Sequence, residues 1–284
     1  MKHLISIDDI SPDDYAELFK LADRLIQDTE ISRKDMANKI LANVFYEPST
    51  RTSTSFHSAM LKLGGQVIPI NEINYSSVAK GENIEDTIKT IGCYSDLIVL
   101  RTKNAGDAAK AAEVSSVPII NAGDGNGEHP TQTLLDLYTI YKIKTAYTVP
   151  TPATVDKTLQ GLNIVFAGDI DNSRTIHSLA KVVGKNNKVV YCDTYSDLLP
   201  HLPTADVLYM TRVQRERGSK GTYQFTKRHA KVLKKECIIM HPFPRNEELP
   251  RWVDSLPNSA YFKQIQNGLY IRMALLLSYK GKHK

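Results

Sequence analysis

Short apolar runs alternate with helical stretches along this chain, and the alternation occurs twice. The first series of runs covers residues 40–46, 66–70, 96–100 and 117–120; the second covers 162–167, 188–192, 206–210 and 237–240. Runs this short and this rich in Ile, Val and Leu read as strands buried on both faces. Between them, apolar residues recur at helical spacing, as in Phe56, Ala59, Met60 and Leu63. Strand–helix alternation of this kind predicts an α/β fold: two doubly wound parallel-sheet domains. A chain of 284 residues is long enough for two cores. Residues 142–159 lose periodicity and carry Pro150 and Pro152, which puts the junction there. The domains expected are 1–145 and 146–265, joined by the helix read over 131–141. An N-terminal helix starts near Pro12, and another amphipathic helix covers 268–279.

Composition narrows the function classes. Hydrophobic content of 42% and charged content of 24% are ordinary for a globular chain, and no apolar run approaches bilayer-spanning length. Met1-Lys2-His3-Leu4 leads into acidic residues rather than a signal-peptide core. Cys93, Cys192 and Cys237 are odd in number and far apart. That speaks against a disulfide framework or a CxxC zinc site and fits a reducing cytoplasm; all three read as core thiols. The net charge of +5 owes three charges to Lys280, Lys282 and Lys284, with no interleaved aromatics of an RNA-binding type. Neither nucleic acid nor membrane is expected as a partner. Anionic small molecules are.

The stretch Phe45-Tyr46-Glu47-Pro48-Ser49-Thr50-Arg51-Thr52-Ser53-Thr54-Ser55-Phe56 says where they would bind. Here a strand feeds a helix, with Ser49 or Thr50 placed to cap it. Helix-end N–H groups, hydroxyls and the Arg51 fork gather at one turn, which suits a phosphate. Arg51, Arg101, His129, Arg174, Arg212 and His241 each lie just past an expected strand. In open α/β sheets that position borders the ligand crevice. Residues 71–82 are polar and aperiodic, a loop long enough to have a function.

With these residues in view, the chain resembles the catalytic chains of the aspartate carbamoyltransferase family, within the aspartate/ornithine carbamoyltransferase superfamily. The motifs matching in order are 45–52, Ser-Ser-Val-Ala-Lys-Gly-Glu at 76–82, Arg101, Asn-Ala-Gly-Asp-Gly at 121–125, His-Pro-Thr-Gln at 129–132, Arg174, the segment 209–217 and His-Pro-Phe-Pro-Arg at 241–245. The ornithine branch usually has His-Cys-Leu-Pro where His241-Pro242-Phe243-Pro244 stands here. The basic pair Arg174 and Arg212 also suits a substrate with two carboxylates.

The resemblance implies carbamoyl transfer from carbamoyl phosphate to L-aspartate, an early step of pyrimidine synthesis, with no cofactor or metal. It implies that Ser49, Thr50, Arg51, Thr52 and Arg101 hold the phosphate. Arg51, Thr52 and His129 address the carbamoyl oxygen, while Gln132 and the carbonyls of Pro242 and Phe243 receive its amide. Arg174, Arg212 and Gln214 orient aspartate. Ser76 and Lys80 reach a neighbouring subunit's site in a homotrimer. Glu47 bridges the domains to Arg174 and Arg217 on closure, and the C-terminal helix, 266–284, returns to the first domain. A regulatory chain or multienzyme partner stays open.

Two segments are shorter than the family pattern, 191–206 and the stretch after Arg217, so a reduced aspartate domain is expected. Ala79 stands where some relatives have a second lysine. Two other readings are a catalytically impaired anion-binding or assembly paralogue, and carbamoyl transfer to a different amino acid.

Overall fold

The structure is a computed structural model that describes residues 2–27, 34–70, 81–146, 148–193, 195–215 and 224–280. The first half holds α1 (Pro12–Gln27), β1 (Ile40–Phe45), α2 (Thr50–Lys62), β2 (Gln66–Ile70), α3 (Ile84–Gly92), β3 (Leu97–Thr102), α4 (Asp107–Val114) and β4 (Ile119–Asp124). Two helices follow, α5 (Pro130–Thr145) and α6 (Pro152–Thr158). The second half holds β5 (Asn163–Ala167), α7 (Arg174–Val183), β6 (Lys188–Cys192), α8 (Tyr195–Leu198), β7 (Val207–Met210), α9 (Lys227–Val232) and β8 (Ile238–Met240). The chain's last helix is α10 (Tyr261–Ser278).

Each half is a four-stranded parallel sheet, ordered β2-β1-β3-β4 and β6-β5-β7-β8. In both, strand order reverses direction between the first and third strands. The carboxyl ends of that pair open a crevice, because the connections leave to opposite faces. The pairs Phe45↔Arg101 and Ala167↔Met210 mark these ends. Leu41, Val44, Leu97, Ile98, Val99 and Leu100 are buried, as expected of strands covered on both faces. Burying each such side chain is worth about 1.5–3 kcal/mol.

α5 joins the halves and is buried nearly all round. α10 packs against α1, α2 and α5, so the last helix does return to the first half. Arg272 of α10 reaches across to α2, donating from Nη1 to Ser55 Oγ (3.0 Å) and lying over the Phe56 ring.

Several expectations shift. α10 starts at Tyr261, before the residues read as helical. α5 runs to Thr145, into the stretch read as aperiodic. β4 extends through Asn121–Asp124, and Arg101 lies within β3 rather than past it. The segment between β6 and β7 contains a single helical turn, α8. Cys93 is exposed at the end of α3, unlike the buried Cys192 and Cys237. Among the described residues no helix is long and apolar enough to cross a membrane.

Candidate active site

The two crevices face one another and share a cavity of about 430 Å³. Three helices begin at it: α2 after Ser49, α5 after His129 and α7 after Ser173. Each directs the positive end of its dipole and its first-turn N–H groups there. In α2 the ladder starts with Ser53 N–H donating to Ser49 O (3.1 Å), so the N–H groups of Thr50, Arg51 and Thr52 precede it. The Ser49 side chain does not cap the helix. Its hydroxyl instead accepts from Arg101 Nη1 at 3.2 Å. The α2 turn and Arg101 are thereby tied together across β1 and β3.

From the first half, Ser49, Thr50, Arg51, Thr52, Arg101, His129 and Gln132 line the cavity. From the second come Arg174, Arg212, Gln214, Pro242 and Phe243. Glu47 stands behind the wall. Its Oε2 accepts from Arg101 Nε (3.2 Å) and from Arg174 Nη2 (2.9 Å), linking the halves. Arg174 Nη1 also donates to the carbonyl of Gly125 (2.7 Å). Gly125 has φ +54, and a Cβ there would lie 2.5 Å from the Ala105 nitrogen, so only glycine fits this turn. Gln214 is held by its own half: its backbone N–H donates to Asp169 Oδ2 (2.9 Å) and its side-chain Nε2 to Asn172 O (2.7 Å). Ser76, Lys80 and Arg217 lie outside the described residues.

The cavity is strongly cationic. Arg51 is pushed below its ordinary pKa by desolvation and by facing Arg212. His129 is 3% exposed, and its pKa falls well below the usual histidine range. Burial is the main cause, with Arg174, Arg101 and Arg272 adding to it. It is therefore a neutral imidazole at pH 7, with Nδ1 3.3 Å from the Thr131 hydroxyl.

His241 has a different part. Phe243 N–H donates to its Nδ1 (2.9 Å), so the ring proton sits on Nε2 and is donated to Glu248 Oε1 (3.0 Å). The ring is fully buried in this pair and shapes the turn that presents the Pro242 and Phe243 carbonyls. Phe243 has φ +57 and is followed by a cis peptide to Pro244.

Pattern reading missed Arg272, Gln264 and Asp136, and gave Tyr209 no role beyond its place in the segment 209–217. Arg272 and Gln264 line the cavity; Asp136 is buried behind Gln132 and bonded to Tyr209. A signal was present, since Asp136 and Arg272 are single charges within the apolar runs 134–138 and 269–277. Among the described residues no group of three His, Cys, Asp or Glu side chains could hold a metal ion.

Comparison with known proteins agrees with this geometry. Residues 2–142 match the family model described as aspartate/ornithine carbamoyltransferase, carbamoyl-P binding domain. Residues 185–279 match the Asp/Orn binding domain of the same family. The chain is 40% identical over 313 residues to an aspartate carbamoyltransferase catalytic subunit of Clostridium botulinum, covering 99% of this chain and 98% of the relative. It is 43% identical over 310 residues to that of Methanococcus vannielii, covering 97% of each. Among solved structures it resembles aspartate transcarbamoylase from Trypanosoma cruzi in complex with N-(phosphonacetyl)-L-aspartic acid. There the TM-score is 0.86 at 32% identity, covering 98% of this chain and 94% of that one. The complex of the same enzyme with carbamoyl phosphate and aspartate gives 0.87 at 31%, covering 98% and 96%.

Proposed function

The chain belongs to the aspartate/ornithine carbamoyltransferase family, and from that premise we propose that its cleft transfers the carbamoyl group of carbamoyl phosphate to the amine of L-aspartate. The products are N-carbamoyl-L-aspartate and phosphate, a step of pyrimidine synthesis. One observation carries the reading: Arg51 and Arg101 from one half, and Arg174 and Arg212 from the other, line a single cavity at which three helices begin. Such a cavity fits two anionic reactants held side by side.

Residues 1–145 form the carbamoyl-phosphate domain and 146–265 a shortened aspartate domain, with 266–284 returning to the first. The two separate sheets and the packing of α10 support this division. Ser49, Thr50, Arg51, Thr52 and Arg101 bind the phosphate. Arg51, Thr52 and neutral His129 face the carbamoyl oxygen, while Gln132 and the carbonyls of Pro242 and Phe243 accept its amide N–H groups. Arg212 and Gln214 take the carboxylates of aspartate. Arg174, tied to Glu47, couples that binding to closure with Arg217. Ser76 and Lys80 complete the site of a neighbouring copy in a cytoplasmic homotrimer, a role supported by the 76–82 motif.

Aspartate's neutral amine attacks the carbonyl carbon, the new C–N bond forms, the C–O bond to phosphate breaks with its electrons leaving on phosphate, and the proton lost from the amine nitrogen goes to the departing phosphate. Negative charge grows on the carbonyl oxygen, where preorganised donors act most strongly. The test is labelled carbamoyl phosphate offered with aspartate, ornithine and N-acetylornithine. Product is expected with aspartate. Transfer to another amine in preference, or no transfer, overturns the reading.

A further inference from the structure

Asp136 is fully buried on α5, one turn beyond Gln132. It accepts hydrogen bonds from three parts of the fold. Gln132 Nε2 donates to Oδ1 (2.9 Å), Gln264 Nε2 of α10 donates to the same oxygen (2.6 Å), and Tyr209 OH of β7 donates to Oδ2 (2.8 Å). An ionised carboxylate only accepts, so both amides must turn their NH2 groups toward it and their oxygens away. For Gln264 the result is visible: its Oε1 accepts the N–H of His241 at 3.0 Å, at the start of the turn carrying Pro242 and Phe243. Gln132 lines the cavity, and the end it has left to offer there is its oxygen.

We propose that Asp136 is a positioning residue that fixes the amides of Gln132 and Gln264, making this end of the cavity an acceptor of N–H groups and so selecting a phosphoryl donor with an amide NH2 over one with a methyl. The proposal rests on the reading of the cleft as a carbamoyl-phosphate site and names what gives that site its selectivity. The charged group facing Asp136 is Arg272 of α10, which favours ionisation, as do the three hydrogen-bond donors; burial outweighs them and pushes the carboxyl up to about 7. Once protonated on Oδ2, where the Tyr209 hydroxyl can turn to accept, Asp136 still receives both amides on Oδ1, but as a neutral acceptor that holds them more weakly. Selectivity therefore falls as pH drops through neutrality.

The experiment compares carbamoyl phosphate with acetyl phosphate, which has a methyl in place of the amide. KM for the first and the inhibition constant of the second are measured across pH in wild type and Asp136→Asn, with inorganic phosphate as control. A site built around N–H acceptors discriminates strongly against a ligand without them. Asp136→Asn is expected to narrow the carbamoyl preference by about tenfold or more, with phosphate inhibition little changed. An unchanged preference in the variant, beside an active wild type, overturns this inference alone. A wild type that transfers no carbamoyl group overturns the proposed function and this inference together. If Asp136→Asn does not fold, Tyr209→Phe gives the same reading. Loss of one donor should move the pH at which preference disappears upward, and an unmoved profile overturns the proposal.

Discussion

Glu47 and Arg174 meet across the interface of the two halves, with Nη2 donating to Oε2 at 2.9 Å. The same oxygen serves Arg101, so one carboxylate holds together a guanidinium from each half. Their side chains are 22% and 11% exposed, intermediate between a surface pair and a buried one. A pair of this kind has its value in geometry, since it fixes the approach of the two walls. Glu47→Gln is expected to raise the aspartate KM about tenfold, equivalent to about 1.4 kcal/mol. Arg101 keeps its bond to Ser49, so the KM for carbamoyl phosphate should change less. Saturation curves for each substrate, taken with the other in excess, check this. Equal changes in both would mean the bridge does not act on closure.

Arg51 stands exposed at the first turn of α2, where it lines the cavity. Its removal should leave stability within about 0.5 kcal/mol, as for most surface changes. Losing a donor aimed at a developing oxyanion typically costs about 3–4 kcal/mol of barrier. Arg51→Ala is thus expected to melt with the wild type while turnover falls by about two to three powers of ten. Thermal melts and turnover on the same preparation separate the two effects. Near-normal turnover would remove Arg51 from the reaction.

All eight strands stand close to their expected places; burial on both faces forces apolar runs in six of them, while the edge strands β2 and β6 are half-exposed. The misses have physical causes. Asn121–Asp124 looks like loop, yet it continues β4 because distant partners satisfy its polar groups. Asn121 Nδ2 donates to Ile5 O, and Asp124 accepts from the Thr102 hydroxyl and the Gly106 N–H. Local patterning cannot show such partners. Arg51, Arg174 and Arg212 were legible from their position after strands and Arg101 from the end of one, whereas Asp136 and Arg272 were hidden in helices that read as core and Gln264 lay ahead of the helix as read. His241, placed after a strand by the sequence, has its ring engaged by Glu248 and the Phe243 N–H, which makes it a shaper of the turn.

Asp136 should also mark the stability of the protein. Its carboxyl is raised from 3.8 to about 7 in the fold, so between those values the folded chain binds the extra proton. Its contribution to stability is complete below the unfolded pKa and is lost as pH rises through the folded one. Between pH 5.5 and 8 this loss amounts to about 2 kcal/mol. Asp136→Asn lacks the titration, so its stability relative to wild type should improve by about that amount over the same interval. Urea denaturation of both proteins at the two pH values measures it. A constant difference would place the Asp136 titration elsewhere. His129 acts in the opposite sense: its lowered pKa makes stability fall below about pH 6.5, equally in both proteins.

The pairing of His241 with Glu248 leads to a prediction separating turn geometry from chemistry. His241→Ala leaves two groups short of a partner, the buried Glu248 carboxylate and the half-buried Phe243 N–H. Glu248 retains the Asn246 N–H at 2.8 Å, so the carboxylate is weakened rather than stranded. An unpaired buried group costs about 1–3 kcal/mol, and with neither group fully stranded stability should fall by about that amount in total. Because the turn carries the Pro242 and Phe243 carbonyls, carbamoyl phosphate binding should weaken with it. His241→Gln can place a nitrogen toward Glu248 and should recover part of both losses. A ring acting directly on substrate would behave differently: the glutamine would restore stability while turnover stayed at the alanine level. Parallel recovery of stability and carbamoyl phosphate KM is the expected outcome, measured by urea denaturation and initial rates on the three proteins.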